Sequence, residues 1–275
     1  MQETTQFKLG FIGGGNMATA MIIGLKHHQF DSQHIQVVEL DVDKRAQLAT
    51  AYQVNTTDQL SDIAQNDVII LAVKPQQLKA LAQSLAPLLK QQLVISIAAG
   101  IRIADLSRWL GDYPMIVRAM PNTPAQIQAG VTGVYATPQV TALQQQQATR
   151  ILDAVGATVW LNQEDELDAV TAISGSGPAY VFYLIEALQE AAVKLGLSEA
   201  QAKLLSIATF KGASQLAATS SMPVHTLRAQ VTSKGGTTEQ GLLSLEQSKI
   251  KEAILLAAQQ AEKRAKIMGD ELGKS

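Results

Sequence analysis

The first half of the chain alternates between short apolar runs and longer segments that are compatible with helices. The apolar runs lie at residues 9–12, 35–38, 68–73, 93–97 and 115–117. The helix-compatible segments between them include residues 44–52, 75–89 and 103–110. Strands that alternate with helices predict a parallel sheet covered on both faces, because each crossover helix packs against the sheet. The pattern therefore predicts a doubly wound α/β domain.

The pattern changes in the second half of the chain. Two more strands are predicted at residues 131–135 and 158–160, and the strand signals then stop. Long helical segments follow at residues 179–195, 198–218, 224–231 and 238–268. We therefore predict two domains, an α/β domain over residues 1–162 and an all-helical domain over residues 163–275.

Two of the predicted helices, with the sequences VFYLIEALQEAAVKLGL and EAILLAAQQAEKRA, are apolar over more than one face. Such helices are expected to bury one face against their own chain and another against a second subunit. A homo-oligomer is therefore predicted, and a thickly packed monomer is the alternative.

Composition narrows the function classes. The 275 residues are 47% hydrophobic and carry a formal net charge of −2, with no block of like charges, which argues against nucleic acid or a membrane surface as the main partner. There is no cysteine, the N-terminus lacks the apolar core of a signal peptide, and no stretch has the roughly 18 apolar residues of a membrane span. We expect a cytoplasmic protein that acts on a small molecule. The four histidines show no metal-ligand spacing, so no metal site is predicted.

Three consecutive glycines follow the first apolar run, in the sequence KLGFIGGGNMATAM. Gly13, Gly15 and Ala18 fit the G-x-G-x-x-G/A fingerprint of a strand, turn and helix that binds a dinucleotide in a Rossmann domain. Bare glycine lets the backbone approach a diphosphate at the positive end of the helix. An ordinary glycine-rich turn is the alternative interpretation.

Other candidate ligands follow the later strands, because open α/β sheets bind ligands at the carboxyl ends of their strands. The segments at this edge are AVKP at residues 72–75, SIAAG at 96–100 and RAMPNTP at 118–124. Lys74 by itself is also typical of a solvated surface residue. Asn122, between two prolines, presents an amide on a stiff turn, although turn chemistry alone also explains these residues.

A second cluster of glycine and hydroxyl residues interrupts the helical half, as SGSGPAY at residues 174–180 and VTSKGGTTEQGL at 231–242. Gly235 and Gly236, followed by Thr237 and Thr238 at the start of a helix, form a nest of N–H and hydroxyl groups suited to a carboxylate. A capped turn between two helices is the alternative.

Six motifs, FIGGGNM, AVKP, SIAAG, RAMPNTP, SGSGPAYVF and SKGGTT, closely resemble those of pyrroline-5-carboxylate reductases in order and spacing. The resemblance covers nearly the whole chain. It implies a Rossmann domain followed by an all-helical dimerisation domain whose helices interleave between subunits, in a homodimer or a decamer built of dimers. It also implies that a hydride from NADPH or NADH reduces the cyclic imine of 1-pyrroline-5-carboxylate to L-proline, the last step of proline biosynthesis.

The resemblance further implies a role for individual positions. Those implied to hold the cofactor diphosphate are Gly13, Gly15, Asn16 and Met17. Those implied to lie along the cofactor are Ala72, Val73, Lys74, Pro75, Ala98 and Ala99, with Asn122 at the nicotinamide end. Those implied to bind the substrate carboxylate and ring are Ser233, Gly236, Thr237 and Thr238, with Glu164 and Gln230 near the same pocket. A protonated imine needs no strong general base, and we expect the hydroxyl of Thr238 to be the catalytic group that orients or relays the proton.

Two positions depart from the family pattern. Lys234 stands where many relatives have proline, which loosens the loop or adds a positive charge near the substrate carboxylate. Glu39 and Asp41 stand at the end of the second strand, where relatives often have residues that accept the ribose phosphate of NADPH. An acidic residue there normally binds the ribose hydroxyls of NAD, so we expect a preference for NADH. Lys44 and Arg45 are close enough in sequence to accommodate NADPH instead.

Two other function classes share parts of the pattern. A β-hydroxyacid dehydrogenase has the same architecture, but it relies on a lysine in the interdomain helix, and no lysine follows SGSGPAY before Lys194. A non-enzymatic dinucleotide-binding redox sensor accounts for the glycine turn but gives no reason for SKGGTT.

Overall fold

The computed structural model describes residues 6–274 and divides them into two compact units. The first unit contains residues 6–176 together with 260–274, and the second contains residues 177–259. The predicted division of the chain between residues 162 and 163 stays a prediction.

The first unit is built on one eight-stranded sheet. Its strands are β1 (Leu9–Ile12), β2 (Ile35–Val38), β3 (Asn55–Thr57), β4 (Val68–Leu71), β5 (Leu93–Ser96), β6 (Ile116–Met120), β7 (Gly130–Ala136) and β8 (Gly156–Trp160). Their order across the sheet is β3-β2-β1-β4-β5-β6-β7-β8. The first six strands are parallel, as predicted, and β7 runs antiparallel to β6. The link between β6 and β7 holds only a short 3₁₀ turn, Thr123–Ile127, and a parallel connection needs a longer crossover.

The strand β3 was not predicted from the sequence. It is three polar residues long and pairs with β2 at the edge of the sheet, with Gln36 opposite Asn55. An edge strand of this kind has no apolar run, because it buries little side-chain surface.

Helices cover both faces of the sheet. They are α1 (Asn16–His27), α2 (Val42–Tyr52), α3 (Pro75–Leu85), α4 (Ile103–Trp109) and α5 (Ala142–Asp153). Alternate strand residues point to opposite faces, so Phe11 packs with the α1 and α5 side of the core while Ile12 packs with the α3 and α4 side. Burial on both faces explains why β1, β4 and β5 are continuous apolar runs.

After β8 the chain is helical. The helix α6 (Glu166–Val170) runs into a π-helical turn, Thr171–Gly175. The remaining helices are α7 (Gly177–Lys194), α8 (Glu199–Thr219), α9 (Val224–Gln230), α10 (Thr237–Gln247) and α11 (Ile250–Lys274). The single helix predicted over residues 238–268 is wrong, because Lys249 adopts a left-handed conformation with φ 53° and separates α10 from α11.

The second unit has almost no core within one chain. Among residues 177–259, all of which the structure describes, only Ala202 and Ser206 are buried. Large apolar side chains are open to solvent, including Phe182 (66% exposed), Tyr183 (71%) and Leu204 (68%). Helices with so little internal burial need a covering surface from elsewhere. Over the described range, no helix is long and apolar enough to cross a membrane.

Candidate active site

The glycine turn between β1 and α1 has a conformation that other residues do not fit. Gly13 has φ 95°, its amide donates to the Val38 carbonyl at 2.8 Å, and a Cβ there would lie 2.7 Å from the Ala72 carbonyl oxygen. A Cβ on Gly14 would lie 2.5 Å from Leu48 Cδ1. The turn therefore has no side chains at the positions where the fingerprint requires a diphosphate to approach the backbone closely.

The helix α1 begins directly after this turn without a side-chain cap. Gly15 is its N-cap residue, and no side chain accepts a hydrogen bond from the first turn. The amides of Asn16 and Met17 belong to that turn, where a helix has unpaired N–H groups and positive charge. This arrangement fits the diphosphate of a dinucleotide.

A cleft of about 660 Å³ opens beside the turn. Its lining brings together six of the residues that the sequence predicted for the cofactor, namely Gly13, Gly15, Glu39, Ala72, Val73 and Lys74. Pro75 follows as the first residue of α3, which also begins without a side-chain cap. The carboxyl ends of three parallel strands, β1, β2 and β4, and the N-termini of three helices, α1, α2 and α3, thus line one opening, which is where open α/β sheets bind ligands.

Glu39 lies in this cleft and binds the glycine turn. Its Oε2 accepts a hydrogen bond from the Gly14 amide at 2.9 Å, and its Oε1 accepts one from the Asp41 amide at 3.2 Å. Lys44 Nζ lies 3.3 Å from Oε2. Burial by itself raises the pKa of Glu39, but the two amides and the Lys44 ammonium outweigh it and hold the pKa below its ordinary value. Glu39 is therefore a carboxylate at neutral pH.

Two basic residues, Lys44 and Arg45, lie near Glu39, and both have partners within the chain. Lys44 pairs with Glu39, as described above. Arg45 Nη1 donates to the Glu39 and Leu40 carbonyl oxygens at 2.7 and 2.9 Å, and its Nη2 lies 3.1 Å from Asp58 Oδ2. Asp41 caps α2 by accepting from the Lys44 amide at 3.0 Å, so this helix N-terminus is satisfied by an acid of the chain.

The segment after β5 supplies small residues. Ala98 is buried in the core on the α3 and α4 side, and Ala99 is half-buried. Gly100 has φ 78°. These residues and Met17, which packs against the other side of the core, do not line the cleft of the glycine turn. Their predicted contact with a cofactor stays a prediction.

Asn122 is used within the first unit at both ends of its side-chain amide. Nδ2 donates to the Ser174 carbonyl at 3.1 Å, and Oδ1 accepts from the Val131 amide at 2.9 Å. The side chain therefore joins the turn after β6 to β7 and to the π-helical turn. This is a structural role that explains the residue, and its predicted place at the nicotinamide stays a prediction.

A buried charge cluster was missed by sequence analysis. Arg118, on β6, is 8% exposed, and its Nη1 lies 2.9 Å from Glu164 Oε1. Its Nη2 lies 4.0 Å from Asp168 Oδ1. Burial raises the pKa of Asp168, and nearby cations including Arg118 oppose that shift only in part. An arginine inside the apolar run of a strand was the available signal, because buried cations require buried anions.

The second unit gathers the predicted substrate residues at one helix N-terminus. Gly236 is the N-cap of α10 and has no side-chain cap, and its amide donates to the Ser233 carbonyl at 3.0 Å. Thr237 and Thr238 form the exposed first turn. Gly235 has φ 75° and donates its amide to Glu239 Oε2 at 2.7 Å.

The two other predicted substrate residues lie elsewhere along the chain. Gln230 ends α9, with its Nε2 3.3 Å from Met222 Sδ. Glu164 belongs to the first unit, where it pairs with Arg118. Their predicted roles at the substrate stay predictions.

Comparison with known proteins gives matches over both halves of the chain. Residues 164–268 match the family described as pyrroline-5-carboxylate reductase dimerisation, and residues 8–100 match the family of F420-dependent NADP oxidoreductases. Pyrroline-5-carboxylate reductase from Pseudomonas aeruginosa is 42% identical over 268 residues, which cover 97% of this chain and 98% of that protein. Pyrroline-5-carboxylate reductase 2 from Bacillus subtilis is 38% identical, covering 94% of each chain.

Solved structures give the same result. The pyrroline-5-carboxylate reductase of Coxiella burnetii matches with a TM-score of 0.93 and 40% identity, covering 96% of this chain and 99% of that one. The Plasmodium falciparum pyrroline carboxylate reductase with NADP bound matches with a TM-score of 0.84 and 31% identity, covering 96% and 98%.

These matches confirm the predicted fold class, with an NAD(P)-binding α/β domain and an all-helical dimerisation domain. They also decide between the predicted function classes in favour of an oxidoreductase of proline biosynthesis. The chain belongs to the pyrroline-5-carboxylate reductase family.

Proposed function

We propose that this reductase binds its nicotinamide cofactor at the glycine turn of residues 13–15 and the carboxylate of 1-pyrroline-5-carboxylate at the N-terminus of α10. One observation carries the proposal. Both α1 and α10 begin at a glycine N-cap without a side-chain cap, so each leaves first-turn amides for an anion. A diphosphate and a carboxylate are the two anions that the reaction brings together.

The residues of the glycine turn hold and orient the cofactor. The amides of Asn16 and Met17 would donate to the diphosphate, and Gly13 and Gly15 would keep that approach free of side chains. Ala72, Val73, Lys74 and Pro75 would hold the rest of the cofactor, with Ala98, Ala99 and Asn122 near the nicotinamide. When bound, reduced nicotinamide supplies the hydride that the imine carbon accepts. The product is L-proline.

The residues around α10 hold the substrate. The amides of Thr237 and Thr238 and the hydroxyl of Ser233 donate to the substrate carboxylate, and Gln230 lies at the edge of this site. The hydroxyl of Thr238 orients the proton on the ring nitrogen, because an imine accepts a hydride most readily when it is protonated. Proton transfer by a positioned group contributes about 10²- to 10⁴-fold in general. Positioning two bound molecules contributes more, since effective molarity removes several kcal/mol of barrier.

We further propose that NADH is the preferred cofactor. Glu39 is a carboxylate at the position that binds ribose hydroxyls, and Lys44 and Arg45 are both engaged by acidic or carbonyl groups of the chain. A ribose phosphate would face the Glu39 charge with no uncommitted cation from this pair. The Plasmodium falciparum relative was solved with NADP bound, so under this proposal the two proteins would differ at the ribose end of the cleft.

We infer a homodimer as the working assembly, built on the dimerisation domain. The second unit exposes large apolar side chains such as Phe182 and Leu204 and buries only two residues, so a second copy of the chain is the natural cover. A decamer built of dimers is the larger assembly that the resemblance implies. Sedimentation velocity at several concentrations distinguishes monomer, dimer and decamer. The cytoplasm stays the predicted compartment.

The direct test is the oxidation of NADH, and separately of NADPH, by purified protein with and without 1-pyrroline-5-carboxylate. Nicotinamide absorbance follows the reaction, and the product is identified as proline. We expect oxidation that depends on the substrate and is faster with NADH. Binding of either cofactor without substrate-dependent oxidation would contradict the proposal.

A pair of glycine variants tests the carboxylate site separately. In Gly236→Ala, the new Cβ would lie 2.7 Å from Ser233 Oγ and disturb the start of α10. We expect a higher KM for the imine and an unchanged dissociation constant for NADH. The matched control is Gly241→Ala in the same helix, where nothing among residues 6–274 apart from the adjoining helix backbone lies within 4 Å of the new Cβ. An unchanged KM in Gly236→Ala would place the carboxylate elsewhere.

A further inference from the structure

We propose that Glu164 is a positioning residue for the cofactor loop, residues 97–102, and not a ligand of the substrate. The inference rests on the proposed function, because that function gives Ala98 and Ala99 in this loop their contact with the cofactor. It departs from the role that the family resemblance implied for Glu164.

Glu164 holds the end of the cofactor loop. Its Oε1 accepts a hydrogen bond from the Ile103 amide at 2.7 Å, across 61 positions of sequence. Ile103 is the first residue of α4, and the N-cap residue Arg102 provides no side-chain cap of its own. A carboxylate that accepts from the first turn satisfies an unpaired N–H group and complements the helix charge. Glu164 is therefore a cap for α4 supplied from a distant segment.

The same oxygen also contacts β6, the strand beside the beginning of the loop. Glu164 Oε1 lies 2.9 Å from Nη1 of Arg118, which is buried in β6. Arg118 pairs in register with Ser96, the last residue of β5 and the residue before the loop. One carboxylate oxygen thus joins β6, which is the neighbour of the strand where the loop begins, to the helix where the loop ends. An ion pair with buried arginine and a backbone donor is short and directional.

The C-terminal helix braces the outer side of the loop. Arg102 pairs with Asp270 at 2.9 Å. A Cβ on Gly100 would lie 3.1 Å from Leu272 Cδ1, so α11 packs directly against the loop backbone. A change at Glu164 removes the contact to Ile103, and we expect the loop end at residues 99–102 to shift as a result.

The experiment measures two constants in three variants. Glu164→Ala removes both contacts, whereas Glu164→Gln keeps an acceptor for Ile103 and loses the ion pair. The matched control is Glu166→Gln, since Glu166 lies in the same segment and its Oε2 accepts from the Asn162 and Gln163 amides. The constants are the dissociation constant for NADH without substrate, from nicotinamide fluorescence, and the KM for 1-pyrroline-5-carboxylate at saturating NADH.

We expect Glu164→Ala to weaken NADH binding about fivefold, the effect of losing one helix cap, with the KM for the imine within about twofold of wild type. The dissociation constant of Glu164→Gln for NADH is expected to lie between those of Glu164→Ala and wild type. The constant of Glu166→Gln is expected to match that of wild type. Thermal unfolding shows which variants are folded. If Glu164→Ala does not fold, the same two constants measured for Glu164→Gln test the inference.

The other outcomes overturn the inference in distinguishable ways. A raised KM for the imine with unchanged NADH binding makes Glu164 a substrate ligand, and no change in either constant leaves it without a positioning role. Both results keep the proposed function intact. Wild-type protein that binds neither NADH nor NADPH contradicts the proposed function itself, and the inference fails with it.

Discussion

The carboxylate of Glu39 accepts a hydrogen bond from the backbone amide of Gly14, with 2.9 Å between Oε2 and the nitrogen. This contact ties the end of β2 to the glycine turn. It also fixes a negative charge in the cleft beside the glycine turn, because the amides and Lys44 keep the pKa of Glu39 low. A single side chain thereby contributes to both the shape and the charge of the proposed cofactor site.

Replacing Glu39 is expected to change cofactor choice. Glu39→Gln leaves one carbonyl oxygen in place of two carboxylate oxygens for the ribose hydroxyls, removes the charge that repels a ribose phosphate, and releases Lys44. We expect the ratio of kcat/KM for NADH to that for NADPH to fall by about 10-fold or more, roughly 1.4 kcal/mol. The matched control is Asp43→Asn, an exposed acid in the first turn of α2, which is expected to leave the ratio unchanged. An unaltered ratio in Glu39→Gln would assign cofactor choice to other residues.

The low pKa of Glu39 makes part of the stability depend on pH. The folded pKa lies below its ordinary value near 4.5, so the unfolded chain binds the proton more readily. The carboxylate therefore stabilises the folded state above the unfolded pKa, and this stabilisation is lost as pH falls through the folded pKa. We expect the difference in free energy of unfolding between wild type and Glu39→Gln to shrink on acidification below about pH 4.5. Urea unfolding across this range checks it, and a constant difference would contradict it.

Alanine substitutions at Gly13 and at Gly15 are expected to weaken NADH binding for different reasons. Gly13→Ala combines φ 95° with a Cβ 2.7 Å from a carbonyl oxygen, so both stability and cofactor binding fall, with a strain cost of about 1–3 kcal/mol. Gly15 has φ −68° and only Ala72 O at 3.9 Å, so Gly15→Ala folds normally. Its Cβ nevertheless occupies the approach to the diphosphate and weakens NADH binding. Thermal unfolding and NADH titration of both variants separate the two effects, and normal NADH binding by Gly15→Ala would move the diphosphate away from this turn.

Thr238 is expected to act on turnover more than on cofactor affinity. Thr238→Ala removes the hydroxyl at the first turn of α10, and we expect kcat to fall by about 10-fold or more with an unchanged dissociation constant for NADH. Thr238→Ser keeps a hydroxyl and is the matched control. Steady-state kinetics with a separate NADH titration give both constants. Wild-type turnover in Thr238→Ala would remove Thr238 from the mechanism.

Breaking the buried charge cluster is expected to lower the free energy of unfolding. Arg118→Gln leaves Glu164 and Asp168 without their cation, and loss of one partner of a buried pair costs about 3–5 kcal/mol in general. Glu164 is 25% exposed, so we expect the lower end, about 3 kcal/mol, in urea unfolding. The pair of Asp105 with Arg108, whose guanidinium is 58% exposed, provides the comparison, and Arg108→Gln is expected to cost less than about 1 kcal/mol. Equal costs in the two variants would contradict the difference in burial as the cause.

The sequence by itself determined the parts of the protein that depend on local pattern. Runs made mainly of apolar residues identified β1, β4 and β5, because strands covered on both faces bury nearly all of their side chains. The glycine turn was predictable because its backbone conformation restricts the residue type directly. The motifs in order and spacing were sufficient to predict the family that the comparisons confirmed.

The tertiary structure decided what depends on contacts between distant segments. The Glu164 carboxylate reaches Ile103 and Arg118 from 61 and 46 positions away, and no local pattern records such a pairing. The antiparallel β7 and the polar edge strand β3 follow from connection length and sheet position, which apolar periodicity does not encode. Sequence determines which backbone conformations and burial patterns are allowed, whereas the pairing of buried charges is settled only when the folded chain brings them out of water.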